Sequence, residues 1–215
     1  MTLDAPDPFC LEFPEAASIA RGLRRERKQK IEARAIARRS AKAYRRASSE
    51  AMLAALLPAR LAVGTSYHVI SGGDVDALSY LAHIVRSQPL DYALISSWVL
   101  AMEDAEAIEA WLKAGTIGTL DLYVGEIFPN QYPDVFERVQ RTIADHGRGR
   151  VVVFRNHSKI IAGMHEQSAF YFASESSANV NTNPRTEQTT THICEDLFWF
   201  YKDFFDAIHT IHRNP

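Results

Sequence analysis

The chain has few cysteines, no long apolar run and no proline across its most basic segment. Its two cysteines, Cys10 and Cys194, lie near opposite ends, which excludes a disulfide framework and favours a reducing compartment. The longest apolar stretch, residues 51–57, stops at Pro58, whereas a membrane helix needs about 20 such residues. The first twenty residues carry four acids and no Lys or Arg, unlike a signal or transit peptide. We therefore expect a cytoplasmic protein with no stable membrane insertion.

Charge is divided unequally along the chain. Residues 21–46 contain twelve basic and two acidic residues, a net charge of +10, so the rest of the chain carries −12 to give the overall −2. The absence of proline and the abundance of Ala, Arg, Lys and Glu predict a basic helical extension over residues 21–58. Such a block favours a polyanionic partner, most simply nucleic acid and in the first instance DNA. A solvated charged helix or an assembly arm is the alternative. The residues expected to contact nucleic acid are Arg24, Arg25, Arg27, Lys28, Arg34, Arg38, Arg39, Arg45 and Arg46.

Two further segments flank this extension. Residues 1–20 are acidic and are expected to be flexible, and residues 59–215 are expected to form one α/β domain. In that domain, apolar runs that predict strands alternate with patterns that predict helices, which implies crossover connections. We therefore predict a mixed, mostly parallel sheet flanked by helices. The predicted strands are 67–71, 91–98, 119–128, 150–154 and a hairpin of 157–163 with 168–174, and the predicted helices are 74–86, 103–114, 133–146 and 195–211.

The most informative residues lie around the predicted hairpin. His157 and Lys159 are two apart, so on a strand they share a face. Ser177 and Asn179 follow the second hairpin strand, which would bring them back beside the first pair. An imidazole, an ammonium and two neutral hydrogen-bonding groups would together cradle a phosphodiester, at the strand ends where α/β sheets bind ligands. Taken one at a time, the same residues are also typical of a structural histidine, a solvated lysine and a turn.

These motifs resemble the phospholipase D superfamily. The signature of that family is His-x-Lys, an Asp after four more residues, and then Gly-Ser-x-Asn. The chain has His157-Ser-Lys159 followed by Ser176-Ser177-Ala178-Asn179. Glu187 falls where family members often carry a glutamate that hydrogen-bonds the catalytic histidine. The order of predicted elements also looks like one half of that fold, so the resemblance covers about 150 residues.

The chain departs from the family pattern in three places. Met164 stands where the family has Asp, and Ser176 stands where it has Gly. The gap from Lys159 to Ser177 is several residues longer than usual, which predicts a longer hairpin.

The resemblance implies a phosphodiesterase that uses no metal and no cofactor, and more narrowly an endonuclease. His157 would attack phosphorus and form a covalent phosphohistidine. Lys159 and Asn179, with Ser177 nearby, would stabilise charge on the non-bridging oxygens, and Glu187 would fix the tautomer of His157. A catalytically inactive nucleic-acid-binding or assembly protein is one alternative, and a phospholipase acting on lipid diesters is another.

The implied reaction needs two histidines, and the chain offers one motif. A two-fold homodimer would place two copies of the motif face to face. On the same chain, His165 is a weaker candidate for the second histidine, because it would lie about 26 Å from His157 along an extended strand. His192 is possible but has no lysine partner. The remaining histidines are expected to be structural or exposed: His68, His83, His146, His209 and His212.

Overall fold

The structure, a computed structural model, describes residues 40–180 and 185–209. The chain divides into two units, residues 1–42 and 43–215, and the first unit lies outside the described residues apart from the start of one helix. The predicted flexible segment and half of the predicted basic extension, residues 21–39, therefore lie outside the described residues. Within the described ranges, no helix is long and apolar enough to cross a membrane.

The described residues form a seven-stranded sheet with helices on both faces. The strands are β1 (Ser66–Ser71), β2 (Leu90–Ser97), β3 (Ile117–Gly125), β4 (Gly149–Phe154), β5 (Ile160–His165), β6 (Phe170–Ser176) and β7 (Glu187–His192). The helices are α1 (Ser40–Leu56), α2 (Ala77–Val85), α3 (Met102–Lys113), α4 (Phe128–Gln131), α5 (Pro133–His146) and α6 (Glu195–Asp206). A short 3-10 helix, Glu166–Ser168, joins β5 to β6.

The strand order is β1-β7-β6-β5-β2-β3-β4. Only the β2–β3 and β3–β4 pairs are parallel, and the other four pairs are antiparallel. The predicted mixed α/β architecture with flanking helices is confirmed, but the prediction that the sheet is mostly parallel is wrong. The reason is β7, a strand that the sequence patterns did not indicate, which inserts between β1 and β6 and runs antiparallel to both.

Strand direction determines which residues meet at each edge of the sheet. β1, β2, β3, β4 and β6 run one way, and β5 and β7 run the other way. The carboxyl ends of the first group therefore lie at the same edge as the amino ends of β5 and β7. We call this the site edge.

Local signals position the helices between the strands. The Asp76 side chain caps α2 by accepting from the backbone N–H of Ser79 at 2.8 Å. Pro133 occupies the first turn of α5, and Gly147 ends that helix in the left-handed region at φ 71°. These boundaries match the predicted helices closely.

The core has two parts, one on each face of the sheet. The larger part packs α1, α2, α3 and α5 against one face, and it includes Leu53 and Leu57 from the end of the basic extension. The smaller part lies under α6, where Phe198 and Phe205 are fully buried. Phe200 and Phe204 on the same helix are more than half exposed. One face of α6 is therefore packed in the core and the other is exposed.

Candidate active site

The five motif residues meet at the site edge. His157 and Lys159 immediately precede β5, Ser177 and Asn179 follow β6, and Glu187 begins β7. Because β5, β6 and β7 are neighbours, the three segments lie side by side. His157 and Lys159 were predicted to lie on a strand, but β5 begins one residue later, at Ile160, and both lie in the loop between β4 and β5.

His157 and Lys159 are in direct contact. The Lys159 Nζ lies 2.9 Å from His157 Nδ1 and 3.4 Å from Nε2, and it donates to the backbone carbonyl of His157 at 2.6 Å. An ammonium group has only donors, so the ring nitrogen that faces it accepts. The imidazole is exposed at the site edge and therefore accessible to a substrate.

Trp98 forms one wall of the site, a role that the sequence analysis missed. It follows β2, and its ring centroid lies 5.3 Å from that of His157 with the planes tilted by 55°. Gly125, at the end of β3, makes room for it, because a Cβ at that position would lie 2.4 Å from Trp98 Cδ1. The pairing of these two positions depends on neighbouring strand ends, so no local sequence signal indicates it.

Glu187 lies between Ser177 and Lys159. The Ser177 hydroxyl donates to the Glu187 carboxylate and accepts from the backbone N–H of Gln188 at 3.0 Å. Burial lowers the pKa of Lys159, and the negative charge of Glu187 acts in the opposite direction. The family resemblance implies that Glu187 accepts a hydrogen bond from His157. Among the described residues, the imidazole is hydrogen-bonded to Lys159.

Asn179 is the last of the five motif residues. Its Oδ1 is buried and has no hydrogen-bond partner among the described residues. The next backbone N–H, from Val180, donates to Ser97 Oγ at 3.3 Å and holds this segment against the end of β2. An unpaired buried amide oxygen costs about 1–3 kcal/mol.

The other histidines lie away from this cluster. His165 and His192 end β5 and β7, which places them at the opposite edge of the sheet, where they pair with Ser168 and Ser66. His83 and His146 bond backbone carbonyl groups, in agreement with a structural role. His68 and His209 are exposed, and His212 lies outside the described residues.

Met164 stands where the phospholipase D superfamily has an aspartate. It lies on β5 opposite Tyr92, and its side chain packs under α6. The position therefore faces the smaller core and not the cluster around His157. No group of three or more His, Cys, Asp or Glu side chains within the described ranges is placed to hold a metal ion.

The residues expected to contact nucleic acid lie largely outside the described residues: Arg24, Arg25, Arg27, Lys28, Arg34, Arg38 and Arg39. Arg45 is in α1, and its side chain is not described. Arg46 forms an ion pair with Asp104 and lies 3.8 Å from Asp76, with 17% of its side chain exposed. These bonds join α1 to α2 and α3, so Arg46 is left out of the proposed nucleic-acid contacts.

Comparison with known proteins agrees with this fold. No family model and no curated protein matches the chain. Among solved structures, it is similar to the polyphosphate kinase from Porphyromonas gingivalis, with a TM-score of 0.50 and 13% identity over 70% of this chain. That protein is a member of the phospholipase D superfamily. At this identity the similarity shows the fold alone and does not test the motif residues. The chain spans about a quarter, 27%, of the length of that kinase.

Proposed function

We propose that this protein is a metal-independent phosphodiesterase that cleaves nucleic acid through a covalent phosphohistidine at His157. The observation that carries the proposal is the contact between His157 and Lys159, which lie beside Ser177, Asn179 and Glu187 at the site edge of the sheet. A nucleophile, a cation and hydrogen-bonding groups meet there in an accessible position. The phospholipase D-like fold supports a phosphoryl-transfer reaction of this kind.

The first step requires a lone pair on the imidazole. In the structure, Lys159 donates toward that ring. A phosphate oxygen is a stronger acceptor for an ammonium than a neutral imidazole is, so a bound phosphodiester would draw Lys159 to itself and release the ring nitrogen. The nitrogen–phosphorus bond then forms as the phosphorus–oxygen bond of the leaving strand breaks. Lys159 stabilises the charge that develops on the non-bridging oxygens.

A second histidine completes the cycle. It protonates the leaving oxygen, and it then takes a proton from the water that hydrolyses the phosphohistidine. None of the other histidines in the described part of the chain lies in the His157 cluster. We therefore propose a two-fold homodimer in which the second histidine is His157 of the other copy.

The proposed substrate is nucleic acid, because of the charge on the N-terminal extension. A segment with a net charge of +10 neutralises phosphates and releases their counterions, which gives sequence-independent affinity. Binding should therefore fall steeply as the salt concentration rises. DNA is the first substrate to test.

The test is cleavage of labelled single- and double-stranded DNA, and of RNA, in EDTA. We expect wild-type protein to cleave in EDTA, and His157→Ala to lose activity by more than about 10³-fold, since it lacks the nucleophile. His165→Ala is the matched control, because that histidine is half-buried at the opposite edge of the sheet. Full activity of His157→Ala, or cleavage by wild type that requires a divalent metal, would contradict the proposal.

A nucleic-acid-binding protein without turnover is the second candidate. Two observations favour it: Met164 replaces the family aspartate, and Lys159 donates to the imidazole that should attack. This candidate predicts salt-dependent DNA binding with no cleavage and no trapped phosphohistidine. Phosphatidyl substrates belong in the same assay, because turnover of those alone would indicate a lipid-directed enzyme.

A further inference from the structure

We infer that Asn156 is a positioning residue that fixes the His157–Lys159 loop to the ends of β2 and β3, an inference that rests on the proposed function. Asn156 precedes the nucleophile and is 6% exposed. Neither the family signature nor the proposed chemistry gives it a role. Its side chain nevertheless makes five hydrogen bonds to described residues.

Both the nitrogen and the oxygen of the Asn156 side-chain amide form hydrogen bonds. The Nδ2 donates to Ser96 Oγ at 2.9 Å, to the carbonyl of Tyr123 at 3.0 Å and to the carbonyl of Ser97 at 3.3 Å. The Oδ1 accepts from the backbone N–H of Ser158 at 2.9 Å and from its hydroxyl at 2.7 Å. An amide is the side chain that supplies donors and an acceptor in one plane, so neither an aspartate nor an alanine reproduces this pattern.

Ser158 transmits this restraint to the two reactive side chains. Its hydroxyl also lies 2.6 Å from Ser96 Oγ, so the side chain of Ser158 is held to the end of β2, while its backbone N–H is held by Asn156. With residue 158 turned inward, its two neighbours project outward, where His157 is exposed and Lys159 is half-buried.

The carboxyl end of β2 also contacts the segment that contains Asn179. The Ser97 hydroxyl accepts from the backbone N–H of Val180, next to Asn179, and Ser97 is fully buried, as is Ser96. The carboxyl end of β2 is thus a shared anchor for both motif segments. A shift of the Asn156 side chain would move the nucleophile relative to Asn179, and a misplacement of about 1 Å can reduce a rate by roughly 10²-fold.

Three variants test this role: Asn156→Ala, Ser158→Ala and Ser158→Thr. We expect the first two to lower the rate of phosphohistidine formation in single-turnover experiments by about 10- to 100-fold with little change in KM, because binding groups remain in place. Ser158→Thr keeps the hydroxyl and should recover most of the rate. Ser168→Ala is the matched control, since it removes a serine–histidine hydrogen bond at the opposite edge of the sheet.

A second readout does not depend on turnover. Nitrogen-15 NMR should show one sharp set of His157 ring signals in wild type, broadened or doubled signals in Asn156→Ala and Ser158→Ala, and unchanged His165 signals. If wild type cleaves no diester, the proposed function fails, but the His157 spectra still decide the role of Asn156. The inference would be overturned if both alanine variants showed the same spectra and rates as wild type. It would also be overturned if their rates fell only in proportion to the folded fraction.

Discussion

Lys159 supplies the positive charge beside the imidazole, and its ionisation limits the pH range in which the site attracts anions. Partial burial lowers the pKa of Lys159 below the ordinary lysine value of 10.5. The ammonium therefore loses its proton at a lower pH than an exposed lysine does. We expect affinity for inorganic phosphate, measured by calorimetry, to decline before pH 10.5 is reached. Lys159→Arg keeps its charge and should retain affinity over this range, so an equal decline in that variant would contradict the assignment.

Glu187 opposes the effect of burial on Lys159. Its carboxylate favours the charged ammonium and so raises the pKa of Lys159. Glu187→Gln should therefore lower that pKa further, which an NMR titration of the lysine Nζ can measure. Glu166→Gln, at the far end of β5, is the control and should leave the titration unchanged. A rise in the pKa of Lys159 on removing Glu187 would show that the two side chains are not coupled as described.

Gly125 controls the position of Trp98. A Cβ at this residue would lie 2.4 Å from Trp98 Cδ1 and 2.8 Å from the Trp98 carbonyl. Gly125→Ala should displace the indole from His157, reduce cleavage, and destabilise the protein by about 1–3 kcal/mol, the usual cost of overpacking. Gly72→Ala is the matched control after β1, because its Cβ would meet nothing within 4 Å. Similar unfolding curves for the two variants would contradict this role of Gly125.

The motif residues could be predicted from sequence, but their surroundings could not. His157, Lys159, Ser177 and Asn179 follow a spacing that local periodicity places near one hairpin. The partners of Asn156 are 60 and 33 residues away along the chain, at Ser96 and Tyr123. Such contacts depend on which strand ends become neighbours, and no pattern near Asn156 carries that information.

At the level of elements, α6 attaches to the sheet through one face. Phe198 is fully buried, with its ring centroid 6.1 Å from that of Tyr92 and 5.6 Å from that of Tyr171. Phe198→Ala should lower the free energy of unfolding by about 3–5 kcal/mol, because it leaves a cavity. Phe200, on the same helix, is 63% exposed, and Phe200→Ala should change stability by less than about 0.5 kcal/mol. Urea denaturation measures both, and equal losses would show that α6 packs differently.

The elements differ in how well the sequence predicts them. The proline and glycine signals of α5 predict its bounds, whereas β7 lacks the apolar alternation that indicates a strand. The buried positions of β7 are Thr189 and Thr191, whose hydroxyls pair with Ser176 and Ser174 of β6. A strand held by polar pairs shows no hydrophobic period. Without β7, the sheet is predicted to be mostly parallel.

At the level of the whole molecule, the proposed dimer has a quantitative consequence. Wild type and His157→Ala are mixed in equal amounts, unfolded and refolded together. If each site uses one histidine from each copy, only the dimers of two wild-type chains are active, and under random pairing these are about a quarter of all dimers. If each chain acts alone, about half of the activity remains. A mixture with His165→Ala should keep full activity. Retention of half the activity in the first mixture would exclude the shared site.

The pairing of β1 with β7 affects how the chain folds. Ser66 and His192 are partners in the sheet although 126 residues separate them in sequence. During synthesis, β1 is made before its neighbour β7, which is the last of the seven strands in the described residues. Contacts of such long sequence separation form slowly, because closing a long loop is entropically costly. Until β7 is made, β1 has an unpaired edge that favours aggregation. A chain that stops after β6 would keep that edge exposed, although it contains His157, Lys159, Ser96 and Asn156.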